Sequence, residues 1–213
     1  MHKVKQIKGK TDNCYIVSSG KKAILIDTAS AESYDMVVEE CSKYDLQLIV
    51  LTHIHFDHAE NAAKLAEHFN VPVALNEADM NLFESFDKQP LSSFGLVGKV
   101  ILSASLKVLR QTEVKKPENI VYLKEGDRLS EYGIDATIIE LPGHTKGSIG
   151  VDVEGESLIV GDALDNWIFP STGHLYSNLK DLKASAKKIK ELGPRTIYYG
   201  HGKPTNNKFK MLK

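Results

Sequence analysis

Residues 52–58 read Thr-His-Ile-His-Phe-Asp-His. Four metal-binding side chains lie within this heptad: His53, His55, Asp57 and His58. The apolar run before it, residues 48–51, is typical of a buried strand, and residues 59–69 have helical spacing. Because side chains two apart in an extended segment point to the same side, we expect His53 and His55 to meet on one ion. Asp57 and His58 lie at the turn and are expected to reach a second ion.

A purely structural explanation of the heptad is weaker. Asp57 alone would be an acceptable N-cap for the following helix, and a single histidine before a helix is usually a satisfied polar residue. Three histidines and an aspartate in one short stretch have no such explanation. Imidazole and carboxylate ligands suit zinc and the neighbouring divalent metals. The heptad therefore predicts a metal site.

The composition is that of an ordinary globular protein. The chain has 213 residues, 42% hydrophobic and 26% charged, which is enough for one compact domain. Its net charge of -1 gives no general attraction to nucleic acid or to an anionic membrane, and no run approaches the roughly 18 apolar residues of a membrane span. The basic start leads into no apolar stretch, which argues against a signal peptide. Cys14 and Cys41 form no paired motif, so we expect both to be reduced and the protein to be cytoplasmic.

Strand and helix patterns alternate along most of the chain. The first half predicts strands at 14–17, 23–26, 48–51 and 72–75, with helices at 33–44 and 59–69. The second half predicts strands at 136–141, 148–153, 157–160 and 196–199, with a helix at 179–192. This order indicates a layered α/β domain.

Residues 77–118 break this alternation. Apolar residues there follow no clean period, and a proline and glycines interrupt them. We expect an irregular, partly helical excursion. It is either an ordinary surface subdomain or a wall or moving lid of a substrate pocket, and the pattern leaves these alternatives open.

Three further candidate ligands each follow a predicted strand and a glycine. These are His144 in Pro-Gly-His-Thr, Asp162 in Val-Gly-Asp, and His201 in Gly-His-Gly. Glycine permits the sharp turn and close approach that ligand loops need, and loops at strand ends commonly carry the chemistry of α/β proteins.

Together, His-x-His-x-Asp-His, Pro-Gly-His-Thr, Gly-Asp and Gly-His-Gly resemble the metallo-β-lactamase superfamily, in the family's order and over residues 13–204. The resemblance implies an α/β fold, a four-layer αββα sandwich with its metal site at the edge between two sheets. On this basis we expect residues 1–213 to form a single domain of this type, with 77–118 as an inserted pocket or lid segment.

The resemblance also assigns roles to individual residues. It implies that His53, His55 and His144 hold one ion, that Asp57, His58 and His201 hold another, and that Asp162 bridges the two. Two divalent ions per chain are expected, zinc first, with iron or manganese fitting the same ligands. Asp27 would support the ligand loop through a ligand's second imidazole nitrogen.

The implied chemistry is hydrolysis. His55 is the residue of the hydrolytic branches, where the oxygen-reducing flavodiiron branch carries glutamate. A hydroxide bridging the two ions would attack an ester or thioester, with Asp57 as a catalytic proton carrier. A lactonase or phosphodiesterase of the same superfamily, or a non-catalytic ligand-binding protein, are the alternatives.

The substrate is left open by the sequence. Hydroxyacylglutathione hydrolases share the motif set, but their longer forms carry a helical C-terminal substrate domain that we do not expect here, and their Gly-Arg-Thr-Asp stretch after the bridging aspartate is missing. Lactonases share Phe56 and Asp162-Ala163, and place a tyrosine shortly after that aspartate. We expect a small-molecule substrate with an apolar acyl group, bound by Tyr176, His174, Trp167 and Phe94.

Overall fold

The structure, a computed structural model, describes residues 2–109 and 111–212. Met1, Arg110 and Lys213 lie outside the described residues, so the predicted domain 1–213 and the predicted segment 77–118 are each described with these gaps. The strands of the described residues, in chain order, are β1 (Lys3–Lys8), β2 (Asn13–Ser19), β3 (Lys22–Ile26), β4 (Asp45–Val50), β5 (Val73–Leu75), β6 (Ser92–Ser93), β7 (Ile120–Tyr122), β8 (Ala136–Glu140), β9 (Ile149–Val153), β10 (Ser157–Ile159), β11 (Leu164–Asp165), β12 (Ser171–Thr172), β13 (Leu175–Tyr176), β14 (Thr196–Tyr198) and β15 (Thr205–Asn206).

The described residues form five α-helices. In chain order they are α1 (Tyr34–Cys41), α2 (Phe56–Ala59), α3 (Ala62–Phe69), α4 (Gly95–Leu109) and α5 (Leu179–Glu191). Short 3-10 helices cover Ala31–Ser33, Glu77–Phe83, Phe86–Lys88 and Ser130–Tyr132. Among the helices of the described residues, none is both long enough and apolar enough to cross a bilayer.

Two sheets form the centre of the fold. The first has the order β1-β2-β3-β4-β5-β7, and the second has the order β15-β14-β10-β9-β8. In the first sheet β1, β2 and β3 are antiparallel neighbours, whereas β3, β4, β5 and β7 run parallel. Parallel strands place their carboxyl ends at one edge, and the heptad leaves the sheet at the end of β4.

Alternating side chains build the layers on either side of the first sheet. Along β4, Leu48 and Val50 face the second sheet, while Ile49 packs on the other side with Val37 of α1, as does Leu51 directly after the strand. Every one of these side chains is fully buried, as expected for strands covered on both faces.

The second sheet has its own outer layer. Ile138 and Val151 of this sheet face the first sheet, and Leu158 and Ile197 pack outward against Ile189 of α5. The order is therefore helices, sheet, sheet, helix. This confirms the predicted four-layer αββα sandwich.

One local prediction is wrong. The helix expected over 59–69 is divided into α2 and α3, because the Asn61 side chain turns back to donate hydrogen bonds to the carbonyl oxygens of Thr28 and Ser30 at 3.0 and 2.8 Å. Within 77–118, the structure has the partly helical character that was expected, and the 15-residue helix α4 is its regular part.

Candidate active site

The candidate site lies where loops from both sheets meet at the ends of their strands. The heptad follows β4, and His144, Asp162 and His201 follow β8, β10 and β14. The predicted ligands are therefore supplied by the two halves of the sandwich, as expected for strand-end chemistry in α/β proteins.

Main-chain hydrogen bonds hold these loops against one another. The amide of Ile149 in the second sheet donates to the carbonyl oxygen of Thr52 in the heptad at 2.8 Å. The amide of Gly200 donates to the carbonyl oxygen of Gly161 at 2.9 Å, which joins the loops of His201 and Asp162. Fixed backbones at these points leave the ligand side chains little freedom.

Three histidines form the first group of converging side chains. One ligand atom from each of His53, His55 and His144 lies within 4.8 Å of the others, and all three are buried. The Nδ1 atom of His55 lies 2.9 Å from Nε2 of His144. The structure thus brings together the three histidines predicted to hold one ion.

Asp57, His58 and His201 form a second group within the same distance limit. Asp162 lies between the groups. Its Oδ1 is 3.5 Å from Nε2 of His58, and its Oδ2 is 3.3 Å from Nε2 of His201 and 3.6 Å from Nε2 of His144. This position fits the predicted bridge.

Three of the five ligand histidines are oriented by an acceptor on their outer nitrogen. The Nδ1 of His58 lies 2.9 Å from Oδ2 of Asp27, and the Nδ1 of His144 lies 3.0 Å from the carbonyl oxygen of Leu175. The Nδ1 of His201 lies 2.7 Å from the carbonyl oxygen of Thr11. When Nδ1 carries the proton, Nε2 presents its lone pair to the site.

Asp27 is placed by a left-handed backbone conformation, φ 58°, that a non-glycine residue rarely adopts. Its carboxylate accepts hydrogen bonds from the Thr52 amide at 2.7 Å and from the Thr52 hydroxyl at 2.8 Å, in addition to its contact with His58. The predicted supporting role of Asp27 therefore has a structural basis, since one carboxylate holds both the start of the heptad and one ligand ring.

Asp79 is a buried carboxylate that the sequence did not single out. It accepts hydrogen bonds from the Thr145 hydroxyl and the Gly147 amide, both at 2.7 Å, from the Gln89 amide group at 3.2 Å, and from the Ile54 amide at 3.4 Å. Burial raises its pKa, and these donors oppose the rise. Asp79 therefore joins the heptad to the His144 loop. Nothing in the local pattern Asn-Glu-Ala-Asp marks this, because the contacts are all tertiary.

The two groups differ in charge when no metal is bound. Burial is the main reason that the pKa of His53 lies well below its ordinary value and that the pKa of His55 falls to about 3. For His58 burial also opposes charge, but the carboxylates of Asp162, Asp57 and Asp27 outweigh it and raise the pKa to about 9. His53 and His55 are thus neutral, whereas His58 belongs to a set of ion pairs with these carboxylates.

Glycines are required where the ligand loops approach one another. A Cβ at position 200 would lie 2.1 Å from Oδ1 of Asp162, and a Cβ at position 161 would lie 2.4 Å from the Thr52 hydroxyl oxygen. Gly161 also has a positive φ of 53°. The glycines before Asp162 and His201 are therefore needed for the close packing of the site.

Comparison with known proteins identifies the family. A sequence model of the metallo-β-lactamase superfamily matches residues 9–201. The chain belongs to this superfamily. It is therefore a metal-dependent hydrolase, as the relatives of this metallo-β-lactamase protein also support.

The relatives differ in how much of their length is matched. A probable metallo-hydrolase from Methanocaldococcus jannaschii is 30% identical over 204 residues, which cover 91% of this chain and 89% of the relative. Hydroxyacylglutathione hydrolase 1 from Vibrio vulnificus is 30% identical over 188 residues, which cover 88% of this chain and 60% of the relative. A protein crystallised in a di-iron-bound form superposes with a TM-score of 0.68 at 26% identity, over 96% of this chain and 94% of that one.

The metallo-β-lactamase fold implies a dinuclear metal site, and the donor set fits one. Among the predicted ligands, three buried polar atoms have no hydrogen-bond partner within the described part of the chain: Nε2 of His53, Nε2 of His58 and Oδ1 of Asp162. All three belong to the groups described above. An unpaired buried nitrogen or oxygen is costly, and a coordinated cation would satisfy each of these atoms.

A cavity of about 290 Å³ opens beside these groups. Its polar floor includes Asp57, His144, Asp162 and His201. Its apolar wall comes largely from α4, whose contributing residues are Ile101, Ala104, Val108 and Leu109. A second cleft of about 810 Å³ extends past His55 between α4 and Phe86. The predicted segment 77–118 therefore supplies much of the cavity wall.

The predicted substrate residues occupy two different positions. Trp167 and His174 line the cavity, and the Trp167 ring stacks on His201 with centroids 4.4 Å apart. Phe94 and Tyr176 lie beside His174 rather than among the residues lining the cavity, with the Phe94 ring stacked at 5.1 Å from His174 and 6.4 Å from Tyr176. A direct contact of Phe94 or Tyr176 with substrate stays a prediction. The apolar residues of α4 that line the cavity were missed because the sequence predicted a partly helical segment without locating this helix.

Proposed function

We propose that this protein hydrolyses a carboxylic ester or thioester with an apolar acyl group, using two zinc ions. The observation that carries the proposal is the cavity, in which a polar floor of predicted ligands meets an apolar wall. Ligand pockets of this kind bury the apolar part of a small molecule and anchor it through a few polar groups. The hydroxyacylglutathione hydrolase among the relatives acts, by its name, on an acyl compound.

The residues would divide the work as follows. His53, His55 and His144 would hold one ion. Asp57, His58 and His201 would hold the other, and Asp162 would contact both. When bound, the ions lower the pKa of a water molecule and polarise the carbonyl oxygen of the substrate.

The other steps belong to side chains of the chain itself. Asp57 lines the cavity, and its Oδ2 lies 3.4 Å from Nε2 of His201. In this proposal it would take a proton from the attacking water and pass it on. Val108 and Leu109 would pack against the acyl chain, and Trp167 would close the site on the side of His201. The chemistry predicts a small-molecule substrate, and a cytoplasmic location remains part of the proposal.

The test is a hydrolysis screen of the zinc-loaded protein with ester, thioester, lactone and phosphodiester reporters, paired with metal analysis. We expect turnover of the acyl reporters and a preference for longer acyl chains. Asp162→Ala should lower turnover of an activated aryl ester more than His174→Ala, since only Asp162 contacts both groups of predicted ligands. Turnover of phosphodiesters alone, or an unchanged rate in Asp162→Ala, would contradict the proposal.

A further inference from the structure

His174 and Asp165 form a hydrogen-bonded pair in the cavity, separate from the predicted metal ligands. His174 lies between β12 and β13 and is one of the residues that line the cavity. Its Nδ1 lies 2.7 Å from Oδ2 of Asp165, and its backbone amide donates to the same oxygen at 2.8 Å. The other oxygen of Asp165 accepts a hydrogen bond from the Ser171 hydroxyl at 3.3 Å. A buried carboxylate thus fixes both the backbone and the ring of His174.

The remaining contacts of His174 are uncharged. Phe94 stacks on the ring, with 15° between the two planes. Helix α4 approaches through Gly98, where a Cβ would lie 3.5 Å from the Cβ of His174. Asp165 is therefore the charged group in direct contact with His174 among the described residues, while Asp57 and Asp162 line the same cavity.

One ring nitrogen is left for a ligand. Nδ1 is bonded to Asp165, whereas Nε2 has no hydrogen-bond partner within residues 2–109 and 111–212 and is not among their buried unpaired atoms. In a cavity that also contains the predicted metal ligands, Nε2 is the atom of His174 that can meet a substrate. The hydrogen bond that the ring donates to Asp165 also raises the pKa of His174, against a smaller opposing effect of burial, so more of the imidazole carries a proton near neutral pH.

We propose that His174 is a general acid that protonates the leaving oxygen of an ester, and that Asp165 is the positioning residue that orients and charges it. The proposal rests on the proposed function and narrows it to oxygen esters of unactivated alcohols. Carboxylate–histidine pairs act in this way by fixing the tautomer and stabilising the protonated ring.

The step balances in atoms and charge. Water adds its oxygen to the carbonyl carbon and gives up one proton. When the tetrahedral adduct collapses, the bond between carbon and the leaving oxygen breaks and the oxygen keeps the electron pair. The proton on Nε2 of His174 moves to that oxygen and the alcohol leaves neutral. The carboxylic acid formed from the adduct loses its proton to solvent, and the imidazole regains a proton from solvent. The net products are a carboxylate, an alcohol and one proton.

The leaving group decides whether this acid matters. An alkoxide is about as basic as hydroxide, whose conjugate acid has a pKa of about 15.7, so it leaves poorly without a proton. A thiolate has a conjugate acid with a pKa of about 8.5 and leaves unaided. A built-in acid therefore favours alkyl esters, and it would be of little use with a thioester.

The experiment compares three substrates with one acyl group: an alkyl ester, an aryl ester and a thioester. In the zinc-loaded protein, His174→Gln should lower kcat on the alkyl ester by about 10²–10⁴-fold, and on the aryl ester and thioester by at most about tenfold. Asp165→Asn should change the same ratio less strongly. Phe94→Leu is the matched control, because it removes the stacking ring but no proton, and it should affect all three substrates alike.

A second readout does not depend on turnover. The pKa of His174, measured by NMR from its ring protons, should lie above about 6.5 in the wild type and fall in Asp165→Asn. Equal losses on all three substrates, or a wild-type His174 that titrates at or below about 6.5, would overturn the inference while leaving the proposed function intact. If the metal-loaded wild type turns over none of the three esters, the proposed function fails and the inference fails with it.

Discussion

Replacing Asp79 by alanine should lower both the stability of the protein and its affinity for metal. The carboxylate accepts four hydrogen bonds, but two of the donors have other partners. The Thr145 hydroxyl lies 2.8 Å from the Ser148 hydroxyl, and the Gln89 amide group also donates to the Ala78 carbonyl oxygen at 3.0 Å. The amides of Gly147 and Ile54 are left without their acceptor.

An orphaned buried donor costs about 1–3 kcal/mol, so two donors cost about 2–6 kcal/mol. Alanine also removes a carboxylate whose burial is itself unfavourable, and we therefore take the lower part of this range, about 2–4 kcal/mol. For a chain of 213 residues this corresponds to a fall in Tm of roughly 4–16 °C. Because Asp79 joins the heptad to the His144 loop, metal affinity should fall about 10–100-fold, as for other residues that orient ligands.

The assay is thermal unfolding of the metal-free protein by circular dichroism, with metal affinity measured by competition with a chromogenic chelator. Asp79→Asn is the matched control. Its amide oxygen can still accept from Gly147, and its NH₂ group can donate to the Thr145 hydroxyl, so about 1 kcal/mol should be lost. A Tm and a metal affinity for Asp79→Ala equal to those of the wild type would refute the proposed link between the two loops.

Four further outcomes are expected. Metal analysis after growth in metal-replete medium should find about two divalent ions per chain, and finding none would contradict the dinuclear site. Gly200→Ala should reduce metal content because the new Cβ would lie 2.1 Å from Oδ1 of Asp162. Gly20→Ala, where nothing lies within 4 Å of the new Cβ, should retain its metal. Equal metal content in the two variants would argue against this steric requirement. In chelator-treated protein, the free energy of unfolding should fall as pH rises through about 9, because the pKa of His58 is raised to about that value in the folded state. The stabilising contribution of the charged His58 is complete below its unfolded pKa of about 6.5 and is lost as the folded group deprotonates. A denaturation series between pH 6 and 10 that shows no such fall would contradict this. Trp167→Ala should raise KM or change acyl-chain preference with Tm largely kept, and a loss of Tm with unchanged kinetics would show that Trp167 only packs against His201.

The strands and helices of the sandwich could be predicted where the apolar residues follow a single clear period. Strands β2, β3 and β4 are runs of alternating or continuous apolar residues, and their pattern gave the right elements within a few residues. Helix α4 was not recognised because its apolar residues surround the helix instead of forming one stripe: Leu96 is 82% exposed and Val100 71% exposed. Strand β1 was missed because lysines fill three of its six positions.

Some residues of the site could be predicted from the sequence, and others could not. The predicted ligands were recognisable since their types and order along the chain carry the chemistry, and the structure brings all seven into adjoining groups. Their assignment to individual ions stays a prediction. Asp79 and Asp165 act only through contacts with distant loops or later residues, and a carboxylate of this kind looks like any surface aspartate in a linear sequence.

The division of the ligands between the two sheets sets an order of events in folding. Asp57 and His58 follow a strand of the first sheet, whereas His201 follows β14 of the second. Neither half of the chain contains a complete ligand set, so full coordination must wait until the sheets have docked. A cation held in this way would bind both halves only after they have docked, so it would lower the unfolding rate more than it raises the folding rate.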